Sequence, residues 1–168
     1  MAFSKPQMST DFSIRTCRRD DLDAVHTIEK ACYGNSAIDR IALTQHLDLF
    51  APGFLVAVHT GDAELEEEIV GFVIAGATLT DAPRLGWILD VAVRPSHQGR
   101  GIAPAMCRKA IEELERREIR TVRATVAPQN ERSLRTFARL GFRVVEAVEE
   151  YFGPDEKRLV LEWTSVRE

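Results

Sequence analysis

The chain has 168 residues, 45% of them hydrophobic and 29% charged, which suits one compact domain with one core and leaves little room for two. A formal net charge of −4 argues against a nucleic-acid partner, although basic residues gather between Arg94 and Arg143. The longest mostly apolar run, IVGFVIAGATL from Ile69, falls well short of the ~20 residues a membrane span needs, so no membrane partner is expected.

MAFSKPQMSTDF, at the start, lacks the apolar centre of a secretory signal. Residues 1–11 are expected to be a flexible leader, 12–168 the domain, and the cytoplasm the compartment. FSIRTCR alternates apolar and polar residues and predicts a first strand. Asp20 and Asp21 then stand where a helix cap belongs, ahead of Leu22, Val25, Ile28 and Cys32 at helical steps. A second helix is predicted from about Ala37 to Leu49, closed by Pro52-Gly53. FLVAVHT and IVGFVIAGATL read as strands, and the acidic GDAELEEE between them as a solvated hairpin tip.

After Asp81-Ala82-Pro83 comes the strand WILDVAV, then HQGRGIA, then a helix with an apolar stripe of Ile102, Ala103, Met106, Cys107, Ala110, Ile111 and Leu114. Pro104 is tolerated only in a first turn, which sets that helix's start near Gly101. IRTVRATV follows as a strand with Val122, Ala124 and Val126 on one face and Thr121, Arg123 and Thr125 on the other. Asn130 can cap the helix ERSLRTFARL, which Gly141 ends, and FRVVEAVEEYF and KRLVLEW close the chain as two strands. The order β-α-α-β-β-β-α-β-α-β-β predicts an α/β domain with a mixed, mostly antiparallel sheet flanked by helices.

Cys17, Cys32 and Cys107 form no C-x-x-C pair and read as small buried hydrophobes. His26, His46, His59 and His97 lack metal-ligand spacing, so no metal is expected. The informative stretch is HQGRGIA. A helix start offers unpaired N–H groups and the positive end of the dipole, a place for phosphate. Small residues at Gly99, Gly101 and Ala103 would leave that approach bare, with Arg100 adding charge. Neither G-x-G-x-x-G nor the Gly-Lys-Ser/Thr of a P-loop is present.

QGRGIA resembles the Q/R-x-x-G-x-G/A signature of the GNAT acetyltransferase superfamily. VAPQNERSLRTFARLGF is similar to its second conserved element, and EEYFGPDEKRLVL resembles the closing hairpin of its N-terminal acetyltransferases, closest in motif to the ribosomal-protein alanine type. The likeness covers about residues 12 to 163. It implies acetyl-CoA as donor, no metal, and a small-molecule amine or peptide acceptor; closing strands in this family often lie at dimer contacts, so a homodimer is an option. Carried over residue by residue, Val91, Ala92 and Val93 pair through their backbone with the pantetheine arm. Gln98, Gly99, Arg100, Gly101, Ile102 and Ala103 hold the pyrophosphate, and Asn130 with Ser133 contacts the cofactor.

The resemblance serves the catalytic pair less well. Where relatives carry a base and a tyrosine acid, this chain has Thr125 and Phe137, neither of which can do that work. Asp90, a lone carboxylate inside WILDVAV, is the leading candidate to bind the amine or take its proton, unless it is a structural salt bridge. Tyr151 is the second catalytic candidate, and Tyr33, Trp87 and Thr125 are candidates for the acceptor site. The expected function is N-acetyl transfer to a primary amine, with a small amine or amino acid favoured over a peptide N-terminus. The alternative is an acetyl-CoA-binding module without catalysis.

Overall fold

The structure, a computed structural model, describes residues 12–60, 67–78 and 84–166. The expected leader, most of the acidic hairpin tip and the Asp81-Ala82-Pro83 turn lie outside those residues. The strands are β1 Phe12–Thr16, β2 Phe54–Thr60, β3 Glu67–Ala77, β4 Leu85–Val93, β5 Thr121–Val126, β6 Arg143–Val148 and β7 Arg158–Thr164. The helices are α1 Leu22–Tyr33, α2 Arg40–Phe50, α3 Ile102–Arg116 and α4 Glu131–Arg139. The predicted order of elements is the observed one.

All seven strands form one sheet in the order β1-β2-β3-β4-β5-β7-β6, antiparallel except for the β4–β5 pair. Each face carries its own core. On one, α3 and α4 cover Val73, Ile88, Val122 and Ala124 through Ile102, Met106, Ala110, Leu114 and Phe137. On the other, α1 and α2 cover Val56, Phe72 and Ile74 through Leu22, Val25, Ile28 and Leu43. Burying each larger side chain of α3 contributes about 1.5–3 kcal/mol, which fixes the amino end of that helix against β4.

Local differences from the sequence reading have physical causes. Asp21 stands at the start of α1 but does not cap it. Its carboxylate instead accepts a bidentate pair from Arg15 at 2.7 and 2.9 Å and the Arg18 N–H at 2.6 Å. The second helix begins at Arg40 rather than Ala37 because Asp39 caps it, accepting from the Ala42 N–H at 2.8 Å. Cys32 is only half-buried, unlike Cys17 and Cys107. Tyr151 belongs to the turn between β6 and β7, not to a strand.

The feature that opens the fold is a bulge in β4. Ile74 pairs with Asp90 but Ala75 pairs with Ile88, so Leu89 is an extra residue. Pairing of β4 with β5 ends at Ile88 and Ala124. Beyond that point the two parallel strands splay, and the outer half of β4 shows an edge in the middle of the sheet.

Candidate active site

The ladder dictates what that edge presents. Arg94 donates to Val70 O at 2.8 Å, so along β4 Asp90, Ala92 and Arg94 turn their peptide groups toward β3. Val91 and Val93 turn theirs into the splay. Of the three residues expected to meet a pantetheine arm, Ala92 is therefore committed to β3 opposite Phe72. In the splay the Val91 carbonyl accepts from the Tyr33 hydroxyl at 2.9 Å. The Val93 carbonyl accepts from Gln98 Nε2 at 3.0 Å and the Cys32 thiol at 3.4 Å.

A cavity of about 310 Å³ occupies the splay, lined among others by Tyr33, Val91, Gln98, Asn130 and Ser133. A second, of about 230 Å³, adjoins it at Gln98 and Ala103 and reaches Gly99, Gly101 and Ile102. Gly99 and Gly101 have φ of +80° and +79°, a left-handed backbone that side chains disfavour, and nothing lies within 4 Å of where a Cβ would stand. The glycines thus serve a required backbone conformation as well as an open approach. Gly101 precedes α3, whose first-turn N–H groups have no intrahelical acceptor. Arg100 lines neither cavity and donates to Ser96 O at 3.3 Å.

Three residues absent from the sequence reading complete this corner. Arg132, Arg135 and Arg139 lie on one face of α4 and line the second cavity. Arg132 is tied to Gln98 Oε1, and Arg135 pairs with Glu131 at 3.1 Å. Their spacing was the readable signal. Asn130 caps α4, its Oδ1 accepting from the Ser133 N–H at 3.1 Å. Phe137, at the position where relatives carry an acid, packs edge-on against Phe142 with ring centres 5.0 Å apart.

Asp90 faces the α1–α2 side, like its partner Ile74, and burial pushes its carboxyl far above the carboxylate range. The neighbouring Glu29 charge adds to that rise, and the Val91 N–H and Tyr33 hydroxyl offset only part of it. Among the described residues no cation pairs with Asp90. Glu29, 2% exposed on α1, is also pushed up by burial, partly offset by the Ile38 N–H that donates to its Oε1 at 2.9 Å. Burial raises the Tyr33 phenol and the Cys32 thiol as well. Tyr33 exposes 42% of its surface overall, with its hydroxyl bonded to Val91 O.

Trp87 pairs with Arg123 on the same face as Asp90, and Thr125 follows two residues along β5. Neither lines the two cavities, nor does Tyr151. The β6–β7 turn that holds Tyr151 and Phe152 lies beside the carboxyl end of β5, where Val126 pairs with Leu159, hence at the same end of the sheet as the splay. The two aromatic rings of that turn meet edge-on at 4.7 Å.

A free strand edge, a glycine-lined helix start and a basic helix face converge here, and the acetyltransferase (GNAT) family profile matches residues 22–142. The chain belongs to that family. L-2,4-diaminobutyric acid acetyltransferase of Bordetella parapertussis is 30% identical over 143 residues, 83% of this chain and 72% of that one. Mycothiol acetyltransferase of Kytococcus sedentarius is 33% identical over 119 residues, 71% of this chain but 38% of its own length. In fold, a chain of the NatC complex bound to Gag peptide and CoA matches with a TM-score of 0.82 at 13% identity, covering 93% of this chain and 99% of that one. The ribosomal-protein-S18-alanine N-acetyltransferase of Escherichia coli matches at 0.72 and 18%, covering 91% and 93%. Membership of an acetyltransferase family whose relatives are named as enzymes displaces the reading of a non-catalytic binding module. No group of His, Cys, Asp and Glu among the described residues could hold a metal, and no described helix is long and apolar enough to cross a membrane.

Proposed function

We propose that the protein moves the acetyl group of acetyl-CoA onto a primary amine of a small acceptor, an amino acid or diamine rather than a peptide N-terminus. The observation that carries the reading is a half-buried carboxyl, Asp90, in the strand whose free edge faces the cofactor cavity. The diaminobutyric acid enzyme among the relatives supports an acceptor of the same kind.

The residues present fit acetyl-CoA, which when bound supplies an activated thioester carbonyl. Val91 and Val93 would hold the pantetheine arm in the manner of an added strand. The N–H groups from Gly99 to Ala103, with Arg132, Arg135 and Arg139, would hold the phosphates. Gln98 would be kept in place by Arg132 and by Val93 O. Asn130 and Ser133 would border the arm from the α4 side.

An alkyl ammonium near pKa 10 must lose a proton before it can attack. Asp90, held by burial at a proton affinity closer to neutral, is suited to bind that ammonium and then take the proton. The Val91 and Val93 N–H groups, turned into the splay, would oppose charge developing on a carbonyl oxygen held there. Trp87 and Thr125 would floor the acceptor cleft, with Tyr33 and Tyr151 on opposite sides of it, and the Tyr151 hydroxyl would be the candidate to relay a proton to the departing thiolate.

The test is thiol release with acetyl-CoA and a panel of diamines, diamino acids and peptides, each repeated with Asp90→Asn. The expected result is turnover with one of the small amines that collapses in the variant. Turnover with peptides alone would reverse the acceptor assignment.

A further inference from the structure

Asp90, itself half-buried, has a fully buried carboxyl beside it. Glu29 supplies it from α1, 2% exposed, with one oxygen fixed by the Ile38 N–H at 2.9 Å in the segment joining α1 to α2. Its other oxygen, Oε2, is fully enclosed and has no hydrogen-bond partner of its own, and the Glu29 carboxyl lies within interaction range of the Asp90 carboxyl. A buried carboxylate oxygen without a donor is costly and uncommon. Two carboxylates facing each other, one buried and one half-buried, are costlier still, because like charges in a poorly solvated site do not readily both ionise. Both costs vanish if one proton lies between the two groups.

We propose that Glu29 is a positioning residue for Asp90, the two carboxyls forming one site that carries a single proton and a single negative charge and receives the acceptor's ammonium. The proposal rests on the amine acetyl-transfer reading. The surroundings fit a lone shared charge. On α1 the neighbours are the Tyr33 phenol and the Cys32 thiol, both raised by burial and so neutral. On β4 the Val91 N–H contributes, and β3 opposite offers only apolar Ile74. Arg132 of α4 acts on Cys32 and is already tied to Gln98.

The pair gives Asp90 a property that a single carboxylate lacks. A lone Asp90 anion would be a weak base, whereas two facing carboxylates together bind their first proton tightly, because losing it leaves like charges side by side. The arriving ammonium displaces the shared proton to water and then gives one of its own to the doubly charged pair, breaking an N–H bond and making a carboxyl O–H, so that the pair returns to one proton and one charge. The amine lone pair then forms the C–N bond as the C–S bond breaks. The second nitrogen proton goes to the departing thiolate, and the pair, again carrying its one proton, is ready for the next acceptor.

Glu29→Gln separates this role from a structural one, because the amide oxygen still accepts from the Ile38 N–H while the shared proton is lost. At saturating acetyl-CoA, the acid limb of the kcat/KM profile of Glu29→Gln should move to lower pH by roughly one unit or more. The apo wild-type protein should show an infrared band of a protonated carboxyl at neutral pH, absent from Glu29→Gln and from Asp90→Asn. An unshifted acid limb in Glu29→Gln, or the absence of that band from wild type, overturns the proposal. The band is read without substrate and without the Glu29 variant, so a misfolding variant leaves the test intact. A band present in a wild-type protein that acetylates no amine would support the pair and overturn the function instead.

Discussion

Replacing Gly101 by alanine separates the two services that this glycine performs. At φ +79° an L-residue costs roughly 1–2 kcal/mol, and with nothing within 4 Å of the new Cβ no clash adds to that. For a domain of this size the melting temperature should fall by about 2–8 °C. The methyl group also stands where a phosphate must approach. Weakening one charge-assisted hydrogen bond to it costs about 1.5–3 kcal/mol, so the Kd of acetyl-CoA should rise roughly 10- to 150-fold. Gly141→Ala is the control. It has a comparable φ of +94°, its Cβ would sit in ordinary contact 3.5 Å from Trp163, and it lines neither cavity. Calorimetric melting and isothermal titration of both variants decide the matter. Equal loss of stability with acetyl-CoA affinity intact in Gly101→Ala would refute the phosphate role of the α3 start.

Asp90→Asn should lower kcat by about 10²- to 10⁴-fold while leaving acetyl-CoA affinity within a few fold, read by steady-state kinetics and titration. Asp90 and Glu29 hold protons to higher pH folded than unfolded, so stability falls as pH climbs out of the ordinary carboxylate range toward neutrality. Urea melts at about pH 5 and about pH 8 should show that decline in wild type and a smaller one in Asp90→Asn. Asp21 has the opposite sign, because Arg15 and the Arg18 N–H hold its carboxyl below the usual range. Its contribution is present above that range and lost as pH falls through it, and Asp21→Asn should remove it together with about 1–3 kcal/mol of stability, measured by the same melts at neutral pH. Arg139→Ala should raise the KM of acetyl-CoA severalfold at low salt and much less at high salt, since a partly exposed cation loses its pull on phosphate to screening.

Local pattern carried most of the fold. Leu22, Val25 and Ile28 marked the inner face of α1, and the stripe from Ile102 to Leu114 marked that of α3, because a helical period is visible in a dozen residues. The Leu89 bulge was not readable. WILDVAV looks like a regular strand, and the extra residue is defined only by which residues of β3 lie opposite. Glu29 was invisible for the same reason, since one carboxylate within LDAVHTIEKACY reads as surface until β4 packs beside it. Arg132, Arg135 and Arg139 were readable in principle by their spacing, but only the adjoining α3 start gives that spacing a meaning. Gly99 and Gly101 were expected for bareness, and their left-handed backbone adds a second reason that sequence leaves open.

The central claim, that the edge of β4 and the start of α3 together hold acetyl-CoA, is tested most directly by amide hydrogen exchange with and without it. The account predicts slowed exchange at Val91, Val93 and from Gly99 to Ala103, with β1 and β2 unchanged. Unaltered exchange across 91–103 in the presence of bound acetyl-CoA would contradict it.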